Sequence, residues 1–464
     1  MKAWKRLSAV VLAVFAVAAL TGTALAAEPL IAAAPAINVQ MNGEPLAFSD
    51  AAPEAVDGRT FVPLYAVTEA LGAEVGYDGA ASTITIQRNG ASLSMVLGAD
   101  TASVTEDGQV RTIQMDVIPY AKNNRTYVPI AFVADALGCG VGWDQSSRTV
   151  IIVDVDALMG DASFDLMDNF AAYCEKQSKD KNMSVAGTLD MSIKDKSGQT
   201  LTKPLTAKGS VNGVTSGTKA QLAWELKLSD LSELAGVAGT APLEQAMIQQ
   251  MLSVLSDMKG EVRIDMESME CYLSLPMAFT GKEEDTWYSL DLGAYEAQLL
   301  SGMSMAQLNQ LEEAGIREIL TTVIQSMPLT DSEYSYTDVA EVVSIYLDLL
   351  SDQAFTQKGN TYVAQGAPDM PITITLAKQG DDIVSADITV DFDSSKFDAS
   401  LQPTEKISMK LTEHAAPDKV AVKMDMSVED EEITVELALD VSCVPTSKAP
   451  VATLPAGVQA VPMN

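Results

Sequence analysis

Apolar and polar residues alternate with a period of two over much of the second half of this chain. Met183, Val185, Leu189, Met191 and Ile193 share one phase of that alternation, as do Leu222, Trp224, Leu226 and Leu228, and then Val262, Ile264 and Met266. The habit returns from Ile372 to Leu376, in Ile388, Val390 and Phe392, and in Ile407, Met409 and Leu411. It is longest near the end, in Val420, Val422, Met424, Met426 and Val428 and again in Ile433, Val435, Leu437, Leu439 and Val441, with a turn predicted over Glu429 to Glu431. Successive side chains of a strand point to opposite faces, so each run predicts a strand with one face buried. Residues Trp287 to Leu292 predict a shorter one.

Between these runs the spacing changes to that of a helix. Phe164, Met167, Phe170 and Cys174 recur at helical intervals in a connector over residues 154–179. Leu243, Met247, Ile248, Met251, Leu252 and Leu255 form a second stripe, and residues 294–327 and 337–352 predict two further helices. The order predicts a β-rich α+β domain over 180–443, a long antiparallel sheet, half-barrel-like, with helices on its concave face. Residues 444–464, with Pro445, Pro450, Pro455 and Pro462, predict a flexible tail.

The first part of the chain follows a different rule, an internal repeat. Arg59-Thr60-Phe61-Val62-Pro63-Leu64, Ala70-Leu71-Gly72 and Val75-Gly76-Tyr77-Asp78 recur without a gap as Arg125-Thr126-Tyr127-Val128-Pro129-Ile130, Ala136-Leu137-Gly138 and Val141-Gly142-Trp143-Asp144. Each copy predicts a strand, a helix opened by the Pro and closed by the Gly, and a hairpin turning at the Asp. The helix faces are Leu64, Val67 and Leu71 in one copy and Ile130, Val133, Ala134 and Leu137 in the other. Thr83 to Ile86 and Thr149 to Ile152 predict the last strand of each copy, while Ile37 to Met41 before Asn42-Gly43, Ser92 to Val96 and Ala102 to Val104 predict the rest of a small α+β domain over 37–153. The one departure is Lys122-Asn123-Asn124, which leaves the loop length there open. Arg59, Arg125, Tyr77 and Trp143 are the repeat's candidate contacts to a glycan or a protein. The alternative is that these aromatics close the small core.

The paired Arg-Thr-Phe/Tyr-Val-Pro, Ala-Leu-Gly and Val-Gly-Tyr/Trp-Asp segments resemble the copper amine oxidase N-terminal domain, or stalk domain, of secreted proteins in Gram-positive bacteria. The resemblance implies an accessory module, because catalysis in those oxidases belongs to a separate domain with a three-histidine copper site and an Asn-Tyr motif. This chain has one histidine, His414, and no Asn-Tyr pair. Copper(II) in such a site requires imidazole nitrogens, so amine oxidation is excluded by counting. The second part resembles the half-barrel carriers of the LolA and LppX lipoprotein type, which implies a fold that holds acyl chains. The lipid-bearing cysteine of the lipoprotein members is missing here. The 22 methionines fit that implication, since Met adapts to irregular apolar ligands. Met183, Met191, Met247, Met251, Met258, Met266, Met269, Met303, Met305, Met424 and Met426 are the candidates for an apolar lining, against the alternative of a filled core.

The N-terminus changes the picture of where the protein works. Lys2, Lys5 and Arg6, an apolar run from Ala9 to Leu20 and Ala24-Leu25-Ala26 predict a cleavable signal peptide over 1–26, followed by a linker over 27–36. Export to the cell surface or medium follows, with no transmembrane span. Leu454-Pro455-Ala456-Gly457 lacks the remaining features of a sortase signal, so covalent wall attachment is not expected. The chain carries 30 basic and 63 acidic residues, a net −33, which disfavours nucleic acid as a partner. Cys139, Cys174, Cys271 and Cys443 show no metal-ligand spacing, and export permits disulfides without fixing their pairing. No zinc-protease, phosphate-loop or nucleophile-elbow motif is present, and no cofactor or metal is predicted. A two-carboxylate glycosidase is the enzymatic alternative that composition leaves open. The expectation is a secreted, non-catalytic envelope protein. Its second domain binds an apolar or lipid-like ligand, or it is a structural or adhesive protein that binds cell wall or a protein partner.

Overall fold

Each copy of the repeat folds as its hydrophobic pattern requires, into a hairpin, a short helix and a second hairpin. The computed structural model describes residues 36–49, 51–106, 109–178, 181–198, 201–229, 256–275, 286–292, 314–325, 327, 329–330, 335–367, 371–396 and 406–463. The expected signal peptide, the linker up to residue 35, the stripe from Leu243 to Leu255 and residues 294–313 lie outside these. The described residues form two compact units, one holding those between 36 and 162 with those between 314 and 347, the other the remainder.

The first unit opens with β1 (Asn38–Met41) and β2 (Glu44–Pro45). Copy one follows as β3 (Glu54–Val56), β4 (Arg59–Pro63), α1 (Leu64–Ala70), β5 (Glu74–Asp78) and β6 (Thr83–Arg88). A meander of β7 (Ala91–Val96), β8 (Thr101–Glu106) and β9 (Gln109–Gln114) leads to copy two: β10 (Tyr120–Lys122), β11 (Arg125–Pro129), α2 (Ile130–Ala136), β12 (Cys139–Asp144) and β13 (Thr149–Asp154). The copies meet where β4 and β11 run antiparallel with Val62 opposite Val128, the same motif position in each. An approximate twofold axis therefore passes between those two residues. Three small sheets result, in the orders β10-β11-β4-β3, β12-β13-β1-β2 and β5-β6-β7-β8-β9. Their shared core includes the almost fully buried Val62, Val67, Ile84, Ile86, Leu93, Val128, Val133 and Ile152.

The turns show why the departure in copy two is harmless. Asp57 and Gly58 join β3 to β4 with φ of 51° and 74°, and Asn123 and Asn124 join β10 to β11 with φ of 52° and 61°. Both are two-residue left-handed turns, and Asn tolerates that region almost as Gly does. The hairpins after Asp78 and Asp144 rest on the carboxylate: Asp78 Oδ1 accepts from Ala80 N at 2.9 Å, and Asp144 Oδ1 accepts from Ser146 N at 2.7 Å. The two glycines after the helices, Gly72 and Gly138, have φ of 63° and 81°, as helix ends require.

One side chain joins the copies. Arg88, at the end of β6, donates through Nε to Leu71 O at 2.9 Å and through Nη1 to Leu137 O at 3.1 Å, the carbonyls that close α1 and α2. Its Nη2 pairs with Asp154 Oδ2 at 2.5 Å, and both side chains are 8% exposed. Asp154 Oδ1 in turn accepts from Ala157 N and caps α3 (Val155–Met159).

Helix α4 (Asp165–Ser178) follows, and the chain later supplies α5 (Ile316–Gln325) and α6 (Tyr336–Leu350). Helices in this later region were expected on the large sheet. Helix α5 belongs instead to the first unit, where Arg317 Nη2 donates to Gly160 O and Ala162 O at 2.8 Å and Gln325 Nε2 donates to Asp135 O at 3.4 Å. The reason lies in β12: a Cβ at Gly142 would collide with the carbonyl of Leu329, so this glycine admits the segment that follows α5.

The second unit is built on one sheet of fourteen strands. They are β14 (Asn182–Asp195), β15 (Leu205–Ser216), β16 (Lys219–Ser229), β17 (Asp257–Asp265), β18 (Glu270–Ser274), β19 (Trp287–Asp291), β20 (Thr356–Lys358), β21 (Thr361–Gln365), β22 (Ile372–Gln379), β23 (Asp382–Asp393), β24 (Lys406–Ala416), β25 (Lys419–Glu429), β26 (Ile433–Thr446) and β27 (Ala460–Pro462). Their spatial order is β20 to β26 in sequence, then β14 to β19, then β27. Every pairing is antiparallel except β19 with β27. Helix α4 packs on β23 with Phe170 and Cys174 buried. The Asp352 carboxylate accepts from Asp165 N and Leu166 N at the start of α4.

Residues 444–464 are not a free tail. Val444 to Thr446 complete β26, and Ala460 to Pro462 form the edge strand β27. The proline-rich piece between is fastened by side chains: Val451 N donates to Gln221 Oε1 at 3.0 Å, Arg263 Nη1 donates to Thr453 O at 2.5 Å, and Ala452 is buried. Arg263 is itself held by Glu261 at 2.7 Å and lies 4.9 Å from the centre of the Trp287 ring. Composition suggested freedom, but a segment with few backbone donors can still be held at its carbonyls.

Arg88→Met leaves Asp154 buried and unpaired, and is expected to cost about 3–5 kcal/mol in urea unfolding of the first unit. Arg263→Ala removes a hydrogen bond from a charged donor, so amide exchange over residues 451–463 should quicken by about tenfold or more, read by mass spectrometry.

Candidate functional site

The register of the large sheet sorts its side chains by chemistry. Phe392, Met409, Met426, Leu437, Met191 and Ala207 stand opposite one another in a row across β23, β24, β25, β26, β14 and β15. Two residues along each strand is a second row of Val390, Leu411, Met424, Leu439, Leu189 and Gly209, continued by Leu226 and Met258. Both rows share one face. The intervening rows carry Asp391, Lys410, Asp425, Asp190 and Lys208, then Asp393, Ser408, Ser427, Glu436, Ser192 and Thr206, and face the other way. One face is thus apolar and the other charged, the latter laced by ion pairs such as Lys194 with Glu436 and Lys208 with Asp190.

The apolar face is only half covered. Met191, Phe392, Met409, Met424, Met426, Leu437 and Leu439 are all of intermediate burial, unlike the core of the repeated domain. A groove of about 610 Å³ that crosses the same six strands lies on the opposite, charged face, lined by pairs two residues apart such as Asp190 and Ser192, Asp391 and Asp393, and Asp425 and Ser427. Met191, Phe392, Met409, Met426 and Leu437 border that groove only as the strand positions between those pairs.

Glycines concentrate on the apolar face. Gly187, Gly209, Gly213 and Gly260 all fall in its phase. A Cβ at Gly187 would stand 2.9 Å from Val211 Cγ1 and one at Gly209 3.2 Å from Leu189 Cβ. One at Gly260 would meet the Trp224 ring at 2.8 Å, and one at Gly213 would collide with the carbonyl of Gln221. At Gly187 and Gly209 the nearest neighbours are side chains, and at Gly213 and Gly260 they are the carbonyls of Gln221 and Ser274, so neighbouring strands pack closely at these positions.

Of the seven candidate methionines within the described residues, five lie where their phase put them, and Met266 falls just past the end of β17. Met183, Met191, Met258, Met424 and Met426 are on the apolar face. Met269 is not: it sits in the turn after β17 with φ of 56°. Met247, Met251, Met303 and Met305 lie outside the described residues. Two polar groups on the apolar face were not anticipated. Glu413 stands between Ile388 and Val422, and Tyr288 opposite Leu273. The signal for Glu413 was present, since it is the next residue in phase after Ile407, Met409 and Leu411.

The repeat's candidates divide. Trp143 is half-buried against the core, donates to Gln145 Oε1 at 2.8 Å and lies under Arg148. Tyr77 does not close the core; it is 60% exposed on β5, which is exposed along its whole length. Arg59 pairs with Asp116 at the surface, and Arg125 donates to Asn124 O. His414 lies within β24, which runs on to Ala416. Its Nδ1 is 2.8 Å from Asp387 Oδ1 on the charged face. No cluster of three or more metal-ligating side chains is found among the described residues, and none of their helices is long and apolar enough to cross a membrane.

Residues 40–152 match the family model of the copper amine oxidase N-terminal domain. The match is to that N-terminal domain and not to a catalytic one. A search among curated proteins finds no match to the chain.

All four cysteines are free thiols, Cys139, Cys174 and Cys271 buried and Cys443 half-buried. Burial pushes Cys139 and Cys174 up to about 12 and raises Cys271 and Cys443 as well. The thiolate is the reactive form, so Ellman's reagent is expected to find almost no thiol in the native protein and four in denaturant.

Proposed function

We propose, with residues 40–152 taken as a copper amine oxidase N-terminal domain, that the protein is a secreted, non-catalytic component of the cell envelope. The repeated domain is its accessory module, and the large sheet is its receptor for an apolar or lipid-like ligand. The observation that carries this reading is the half-exposed, methionine-bearing face of the large sheet. A sheet of this width buries its apolar side as a matter of course. Here the rows from Phe392 to Met191 stay partly open to solvent. Flexible methionines at Met191, Met409, Met424 and Met426 let such a surface adjust to chains of different shape. The close strand packing at Gly187, Gly209, Gly213 and Gly260 supports a curved, half-barrel-like sheet. Exposed Tyr65 and Tyr77 on the first copy suit the accessory module to contact with another envelope component.

The test is uptake of N-phenyl-1-naphthylamine, a neutral probe that brightens in apolar surroundings, by the full chain. Saturable uptake is expected, and Met426→Asp, which places a charge in the row, should weaken it by about tenfold or more. Absence of uptake by the unaltered protein sinks the receptor reading.

A further inference from the structure

Glu413 is the one charged side chain in the apolar phase of β23 to β26 and β14 to β19 away from the strand ends, among the described residues. It is 8% exposed, with Ile388 and Val422 on the flanking strands. No hydrogen bond or ion pair reaches it from the described residues. Burial alone pushes its carboxyl up, with no neighbouring cation to oppose the shift. A second polar atom on the same face is unanswered, the buried Tyr288 hydroxyl, which has no hydrogen-bond partner among the described residues. The Glu413 carboxylate thus has no charge partner, and native proteins rarely leave a group such as the Tyr288 hydroxyl buried and unpaired without use.

Glu413 is also placed along a path. It is four residues from Met409 on the same side of β24, roughly 13 Å along the strand, with Leu411 between them. Met409 is of intermediate burial, within the part-open rows of the apolar face. A molecule lying along β24 would meet a carboxyl at one end and apolar side chains over the rest of its length. The net charge of −33 adds a field that draws cations and repels anions.

We infer that the apolar face selects a long-chain amphiphile with an ammonium head, the head pairing with the Glu413 carboxylate and the chain running past Leu411 to Met409 and the part-open methionine rows. This rests on the reading of the sheet as an apolar receptor. The ammonium supplies the charge partner that the fold withholds, and a charge-assisted bond in a dry site is the strongest kind available.

The experiment displaces bound N-phenyl-1-naphthylamine from the full chain with dodecylamine, dodecanol and dodecanoate. The amine is expected to bind about tenfold more tightly than the alcohol, and dodecanoate most weakly. Glu413→Gln keeps the shape of the side chain and removes its charge, so the ratio of amine to alcohol affinity should fall to about one. A ratio near one in the unaltered protein, or a preference that survives Glu413→Gln, overturns the inference while probe uptake leaves the receptor reading standing. Failure to take up the probe at all removes both.

Discussion

A one-residue slip between two strands would turn every side chain of one of them to the opposite face. In the fourteen-stranded sheet that requirement governs everything else. Met426 must stand opposite Leu437, and Leu437 opposite Met191, if the apolar rows are to be continuous. Charges such as Asp425 and Asp190 are held on the other side by the same rule. The central seam is β14 with β26, which pair over the full length of both strands although some 250 residues of sequence separate Asn182 from Ile433. Hairpins on either side form from neighbouring residues, but the seam closes a very long loop. Such non-local pairing is slow to form, so the two runs of strands, β14 to β19 and β20 to β26, expose matching apolar faces until residues 433–446 are in place.

The long alternating strands were legible because one buried face imposes a strict period on the sequence, as in Val420 to Val428 and Ile433 to Val441. Strand β15 was not, although it belongs to the same face. Its apolar-phase positions include Gly209 and Gly213, where no Cβ fits, so the pattern vanishes where packing is tightest. The helices of the repeat could be read from Pro, Gly and the spacing of Leu64, Val67 and Leu71. The docking of α5 against β12 could not. Amphipathic spacing says that a helix has a buried side, and does not say which surface it covers. The anchored C-terminal segment was missed for a related reason: Arg263 and Gln221 are distant in sequence from Thr453 and Val451 and carry no local signal.

The apolar lining of the candidate site was legible as methionine in phase, whereas a lone carboxylate in such a run carries no sign of burial in the sequence. Glu413 continues the phase of Ile407, Met409 and Leu411, and the register adds that it stands between Ile388 and Val422. The repeated motif gave the clearest sequence signal, yet the two copies meet different fates. Gly142 is closed over by the segment after α5, while Gly76, in the same motif position, lies open on an exposed strand.

Arg88 and Asp154 occupy the same place in the two copies, 66 residues apart. The pair that ties the domain together is therefore a difference between otherwise matching halves. Two identical halves, whether brought together as a homodimer or made alike by recombination between the duplicated stretches, would set Arg against Arg or Asp against Asp in a buried position. The duplication is thereby locked. Each half has become the complement of the other, and neither can take its partner's place.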